Sequence, residues 1–118
     1  MRILVTGGAG YIGSHVVLAA LDLGYDVVIF DNLSSSNKIN INPKAKFIKG
    51  TITSKRDLTN LFEHNKFDGI VHLAGSKAAG ESMLNPKKYA ANNITGSLNL
   101  LNKCIEYEIS SFIFSSSA

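Results

Sequence analysis

Short apolar runs alternate with segments of helical periodicity along the chain, and glycine or polar residues separate them. Five of the apolar runs have the length of buried strands and are rich in β-branched or aromatic residues. They lie at residues 2–6, 26–30, 46–48, 68–74 and 111–115. Polar stretches typical of loops lie at residues 33–43 and 75–85.

Three helices are predicted between the strands. Residues 12–23 are apolar on nearly every side, which is typical of a helix packed against a sheet, and Gly24 ends them. Ser54 can cap a second helix, and Pro86 can open a third that runs to residue 106. The second helix has the apolar stripe Leu58, Leu61 and Phe62. The third has a stripe that we interpret as core or interface, Ile94, Leu98, Leu101 and Ile105.

The order of these elements, β-α-β-β-α-β-α-β, predicts an α/β fold with a parallel sheet and helices on both faces. Right-handed crossovers then favour a doubly wound (Rossmann) sheet of five strands in the order 3-2-1-4-5. Ligands of such sheets bind at the carboxyl ends of the strands, where the strand order reverses. We therefore expect the binding crevice between the first and fourth strands.

Composition excludes several other classes of protein. The 118 residues suit one domain, 18% of them are charged, and the formal net charge is +3 without a basic stripe, which argues against nucleic-acid binding. No apolar run approaches the ~18 residues of a membrane span. Cys104 is the only cysteine, so no internal disulfide can form and a reducing cytoplasm is the expected location. No metal-ligand cluster is apparent, and His72 is interpreted as a residue packed within its strand.

A glycine motif joins the first strand to the first helix. Gly7 permits the tight turn, Gly10 lets a pyrophosphate approach the backbone, and Gly13 lets the helix lie close to the strand. The helix start at Tyr11 and Ile12 offers free N–H groups and a positive dipole end to phosphates. The G-x-x-G-x-x-G spacing is one residue longer than the usual fingerprint, so a turn without a ligand remains an alternative.

Asp31 supports the ligand-binding interpretation. It ends the second strand at the spacing expected of the acid that binds an adenosine ribose hydroxyl. A carboxylate at this place repels a 2′-phosphate, so NAD is favoured over NADP. Asn32 and Leu33 could line the ribose and the adenine edge, although an Asp that merely closes a strand is the simpler alternative.

The chain resembles the extended short-chain dehydrogenase/reductases over its whole length, and within them the UDP-glucose 4-epimerases. The resemblance is carried by TGGAGYIGSH at residues 6–15, DNL at 31–33, LAGSKAAGES at 73–82, NNITG at 92–96 and FIFSSSA at 112–118. The glycine motif and Asp31 are common to the superfamily. The YIGSH, K-A-x-G-E-S and FIFSSSA segments are more specific to the epimerases.

The resemblance implies a role for each matching position. Lys77 would reach the ribose or pyrophosphate, Asn92 would bind near the nicotinamide, and Ser115 would border it. Ser117 would be the catalytic serine that binds the 4-hydroxyl group of the sugar. Three residues would pass beside the cofactor at the end of the fourth strand, namely Leu73, Ala74 and Gly75.

The chain departs from the family pattern in two places. Where the family has Gly-Asp-Ile against the adenine, this chain has Gly50-Thr51-Ile52, so Thr51 and Ile52 offer no charge to the adenine amino group. The Tyr-x-x-x-Lys motif of the catalytic base is absent, since no tyrosine has a lysine four residues later. We therefore expect residues 1–118 to be an incomplete NAD-binding domain that lacks the UDP-sugar domain and is inactive alone.

The function implied by the resemblance is the interconversion of the C4 epimers of UDP-glucose and UDP-galactose by transient hydride transfer to bound NAD. The corresponding helix of related dehydrogenases often builds a dimer, so a homodimer is expected. A nucleotide-sugar dehydratase or decarboxylase of the same fold remains an alternative. A dinucleotide-binding module without catalysis is a second alternative, from a different class.

Overall fold

The computed structural model describes residues 1–7, 11–32, 41–73 and 86–114, of which residues 11, 12, 86–93 and 114 by their backbone only. The strands are β1 (Arg2–Thr6), β2 (Asp26–Asp31), β3 (Lys46–Lys49), β4 (Gly69–His72) and β5 (Ser111–Phe114). The helices are α1 (Tyr11–Asp22), α2 (Lys55–His64) and α3 (Pro86–Glu106). Every boundary that the sequence predicts lies within two residues of the observed one.

The five strands form one parallel sheet in the order β3-β2-β1-β4-β5, which confirms the predicted doubly wound topology. The central strand β1 pairs with β2 on one side and with β4 on the other, so that Thr6 lies between Phe30 and His72. Because all strands run in the same direction, their carboxyl ends meet at one edge of the sheet.

Alternation along the strands divides the core between the two faces of the sheet. Leu4 and Phe30 belong to the cluster beneath α2 and α3, whereas Val5 and Ile29 belong to the cluster beneath α1. Successive side chains of a strand point to opposite faces, so a buried sheet needs apolar residues at every position. This explains why β1 and β2 are continuous apolar runs and not alternating ones.

Helix α2 begins where the sequence predicts its cap. The Ser54 side chain accepts a hydrogen bond from the Asp57 N–H at 3.2 Å. The buried residues of the helix, Leu58, Leu61 and Phe62, form the stripe that the sequence predicts.

Helix α3 faces the sheet with a different side from the one expected. Its buried positions include Gly96, Leu100 and Cys104, and burial raises the pKa of the Cys104 thiol. The predicted stripe is instead exposed, by 62% at Ile94, 55% at Leu98, 40% at Leu101 and 77% at Ile105. Of the two interpretations of the stripe, core or interface, the first is therefore wrong, because the side with Gly96, Leu100 and Cys104 packs against Ile52 and the core instead. Its use as an interface stays a prediction.

Candidate cofactor site

The carboxyl end of β1 turns at Gly7, as the glycine motif predicts. Gly7 has a φ of +78°, a backbone conformation that residues other than glycine rarely adopt. Its N–H donates to the Phe30 carbonyl oxygen at 3.0 Å, which fixes the turn to the neighbouring strand. The tight turn assigned to Gly7 is therefore confirmed.

Helix α1 begins at Tyr11, and Ile12 and the buried Gly13 lie in its first turn. The first N–H groups of a helix have no partner within the helix, and they carry the positive end of the helix dipole. The start of α1 follows the Gly7 turn after three residues, so these donors belong to the same edge of the sheet as the strand ends. Such an arrangement suits an anion.

Asp31 is the last residue of β2, and its carbonyl oxygen accepts a hydrogen bond from the Gly50 N–H at 3.2 Å. Ile29 packs on the α1 face, so strand alternation assigns the half-buried Asp31 to that face as well. The exposed Asn32 follows it. A carboxylate thus lies at the end of the strand next to β1, on the face that carries the start of α1.

Thr51 and Ile52 follow β3 and form part of the connection to α2. The Thr51 N–H donates to Asp57 Oδ2 at 3.0 Å, and its Oγ1 lies 2.9 Å from Thr53 Oγ1. The Ile52 side chain is buried, and its carbonyl oxygen accepts from Asn99 Nδ2 on α3 at 3.1 Å. Hydrogen bonds therefore hold this segment to α2 and α3, and its predicted contact with an adenine stays a prediction.

A buried hydrogen-bond chain crosses from β1 to β4 and α3 just beneath the expected crevice. Thr6 Oγ1 lies 2.6 Å from His72 Nδ1, and His72 Nε2 lies 3.1 Å from Ser97 Oγ. The Leu73 N–H donates to the Thr6 carbonyl oxygen at 3.0 Å and to Thr6 Oγ1 at 3.2 Å. Burial lowers the pKa of His72 from 6.5 to about 4, so the ring is neutral at pH 7.

The structure places several predicted site residues at this edge and leaves others outside the description. Leu73 lies at the end of β4, and the backbone of Asn92 lies in α3. The residues outside the described ranges are Gly10, Leu33, Ala74, Gly75, Lys77, Ser115 and Ser117.

Sequence reasoning did not assign Thr6 and Ser97 to the site, and it treated His72 only as a packed strand residue. Thr6 and His72 share a sequence signal, because each is a polar residue at the end of an otherwise apolar strand. Ser97 has no such signal, since a serine within a helix is more often a solvated residue.

The rest of the described chain offers no competing site of known chemistry. Among the described residues, no group of three or more His, Cys, Asp or Glu side chains could hold a metal ion. Within the same ranges, no helix is both long and apolar enough to cross a membrane. A cavity of about 540 Å³ lies at the opposite edge of the sheet, between Phe62, Phe67 and Tyr107.

Comparison with curated proteins finds similar sequences among UDP-glucose 4-epimerases. The chain is 42% identical to the UDP-glucose 4-epimerase of Caenorhabditis elegans, over all of this chain and 38% of that protein. It is 45% identical to that of Erwinia amylovora, over all of this chain and 37% of that protein. The chain thus spans less than two fifths of the length of these relatives.

Solved structures agree with the sequence comparison. A UDP-glucose 4-epimerase of Thermotoga maritima, crystallised with UDP-glucose, superposes with a TM-score of 0.93 at 43% identity, over 99% of this chain and 38% of that one. A UDP-glucose 4-epimerase of Thermus thermophilus, crystallised with NAD, superposes with a TM-score of 0.92 at 32% identity, over the same shares of the two chains.

The sequence also matches the model of an enzyme family over almost its entire length, at residues 3–118. This match agrees with the doubly wound sheet, with the glycine turn after β1 and with the carboxylate after β2. The chain belongs to the NAD dependent epimerase/dehydratase family.

Proposed function

We propose that this chain is the NAD-binding part of a UDP-glucose 4-epimerase, with residues 1–118 forming part of its NAD-binding domain. The observation that carries the proposal is the grouping of three features at one edge of the sheet. These features are the turn at Gly7, the start of α1 and the carboxylate of Asp31.

These features fit NAD by their charge and their hydrogen-bonding capacity. Residues 10–12 would hold the pyrophosphate, because free N–H groups and a positive dipole end favour an anion. Asp31 would accept hydrogen bonds from the adenosine ribose, with Asn32 and Leu33 beside it. Its negative charge would repel the 2′-phosphate of NADP. Thr51 and Ile52 would border the adenine.

The reaction would interconvert the C4 epimers of a UDP-sugar. Bound NAD would supply a hydride acceptor, and this chain would supply groups that orient the two ligands. Lys77 would neutralise the pyrophosphate or bind the ribose, while Asn92 and Ser115 would face the nicotinamide. Ser117 would bind the 4-hydroxyl group of the sugar. Support for the substrate comes from the relatives, one of which was crystallised with UDP-glucose.

A second candidate is a dinucleotide-binding module without turnover. It would share the cofactor site of the first candidate and would lack the tyrosine base of the family, whose Tyr-x-x-x-Lys motif does not occur in residues 1–118. General base catalysis contributes roughly 10²–10⁴ to a rate, so we expect this segment alone to show no epimerisation of UDP-galactose. A dehydratase or decarboxylase would share the same cofactor site and would differ in the substrate.

The chain would act as a homodimer in the cytoplasm, without nucleic-acid or membrane partners. The exposed apolar stripe of α3 supports association, because an apolar helix face of this length is more stable when covered. The single cysteine and the weak net charge support the location and the absence of nucleic acid.

The cofactor assignment is tested by an isosteric substitution that removes one charge, Asp31→Asn. Calorimetric titration should show NAD binding weakened by about 10- to 150-fold, which is the ~1.5–3 kcal/mol of a hydrogen bond to a charged group. Binding of NADP should change much less, because the lost carboxylate repelled its 2′-phosphate.

Asp26→Asn is the matched control, since it removes the same charge from the exposed, opposite end of the same strand. It should leave NAD affinity unchanged. Equal effects of the two substitutions would refute the assignment of Asp31. A wild-type chain that fails to bind NAD would refute the proposed function itself.

A further inference from the structure

His72 occupies an unusual place for a polar residue, because it is only 1% exposed and ends β4, the strand next to the central strand β1. Burying an imidazole is unfavourable unless both ring nitrogens find partners. Here both do, since Thr6 lies at Nδ1 and Ser97 at Nε2, each within hydrogen-bond distance. A leucine would fill such a position without this requirement, so the packing of the core alone does not explain the histidine.

The hydrogen bonds described for the ring fit one of its neutral forms. Thr6 Oγ1 already accepts the Leu73 N–H, so its own proton needs an acceptor, and an unprotonated Nδ1 supplies one. The proton of the neutral ring is then on Nε2 and points to Ser97 Oγ. A neutral His72 therefore links β1, β4 and α3 through one ring.

Thr6 and its hydrogen-bond partner Leu73 border the expected cofactor crevice. Thr6 immediately precedes the Gly7 turn, and Leu73 follows β4. The crevice of a doubly wound sheet lies between the ends of these two strands. Any change in the separation of the strand ends moves the turn that precedes α1.

We propose that His72 is a positioning residue for NAD, holding the end of β1 and its Gly7 turn at a fixed distance from the end of β4 through Thr6. This inference rests on the proposed function, because it requires NAD to bind at this edge. Without the link, only a fraction of molecules would have the crevice in its binding form. Apparent affinity falls in proportion to that fraction.

The test compares two substitutions at Thr6 that differ in the hydroxyl group. Thr6→Val keeps the branched shape and removes the partner of His72 Nδ1, whereas Thr6→Ser keeps the hydroxyl group. Titration of the 118-residue chain with NAD should show about tenfold weaker binding for Thr6→Val, equal to about 1.4 kcal/mol. Thr6→Ser should bind within about threefold of wild type.

A second pair of substitutions changes His72 itself. His72→Asn places an amide where Nδ1 lies, and His72→Phe keeps the ring without any polar atom. The first should retain most of the affinity, and the second should lose about tenfold or more. This pair keeps the inference falsifiable if Thr6→Val does not fold.

A control separates positioning from a general loss of stability. Phe67→Leu disturbs the core cluster beneath α2 and α3 just before the amino end of β4, roughly 16 Å from His72 along the strand. Its melting temperature should fall while the NAD affinity of the folded protein stays unchanged. Weakened binding in Phe67→Leu equal to that in His72→Phe, or unchanged binding in His72→Phe and Thr6→Val, would overturn the inference. Absence of NAD binding by the wild type would instead overturn the proposed function.

Discussion

Gly96 lies where α3 crosses the segment after β3, and a methyl group added there has no space. A Cβ atom at this position would meet Ile52 Cγ1 at 2.5 Å and Cδ1 at 2.6 Å, far inside van der Waals contact. Ile52 cannot easily retreat, because its side chain is buried and its carbonyl oxygen accepts from Asn99 of the same helix. Gly96→Ala therefore forces the helix and this segment apart.

Two opposing contributions determine the magnitude. Overpacking of a core typically costs ~1–3 kcal/mol. Replacing glycine by alanine inside a helix contributes ~1 kcal/mol in the favourable direction. We expect a net loss of up to roughly 2 kcal/mol in the free energy of unfolding, measured by urea denaturation with the m-value unchanged.

A double-mutant cycle isolates the collision from the change in helix propensity. Ile52→Ala removes both colliding atoms and leaves Ile52 Cβ, which the new methyl group would meet at an ordinary 3.5 Å. In that background Gly96→Ala should stabilise the chain by about 0.5–1 kcal/mol. A stabilising Gly96→Ala in the wild-type background, or a coupling energy below about 0.5 kcal/mol, would refute the reasoning.

Three further predictions follow from the described contacts. Ser54→Ala removes the cap of α2 and should lower the free energy of unfolding by about 1 kcal/mol in urea denaturation. The pKa of His72 is about 4 in the folded chain and 6.5 when unfolded, so this group does not lower the free energy of unfolding above pH 6.5. The free energy of unfolding should fall by up to about 3 kcal/mol as the pH decreases to 4. His72→Asn should abolish this dependence on pH, and the surface substitution His64→Gln should retain it. Replacing Leu98 and Ile105 together by glutamate should turn an associating chain into a monomer in sedimentation experiments; a monomeric wild type would contradict the proposed dimer.

The fold was predictable because its signals are local. Glycine turns, continuous apolar strands and one helix cap mark the elements, and the rule of right-handed crossovers then leaves little choice of topology. Gly7 and Asp31 were predictable for the same reason, since a fixed spacing relates each of them to the end of a strand. The structure assigns both to the expected edge of the sheet.

The orientation of α3 and the link through His72 were not predictable in this way. Hydropathy detects the larger apolar stripe of α3, but the sheet-facing side depends on Gly96, whose lack of a side chain carries no hydropathic signal. The contact of Thr6 with His72 joins residues 66 positions apart and requires the strand register. Only the three-dimensional pairing of β1 with β4 brings them together.

The position of β1 at the centre of the sheet also affects the order in which the chain can fold during synthesis. β1 is made before the other strands described and can pair with β2 as soon as residue 31 is available, but its second edge waits for β4, about 40 residues later. At roughly 5–20 residues per second, this edge stays open on the nascent chain for about 2–8 s. An open apolar strand edge can pair with other chains, so the first half of this sheet is most exposed to aggregation in that interval. Each residue added to the connection between β2 and β4 lengthens this interval by the time needed to synthesise one residue.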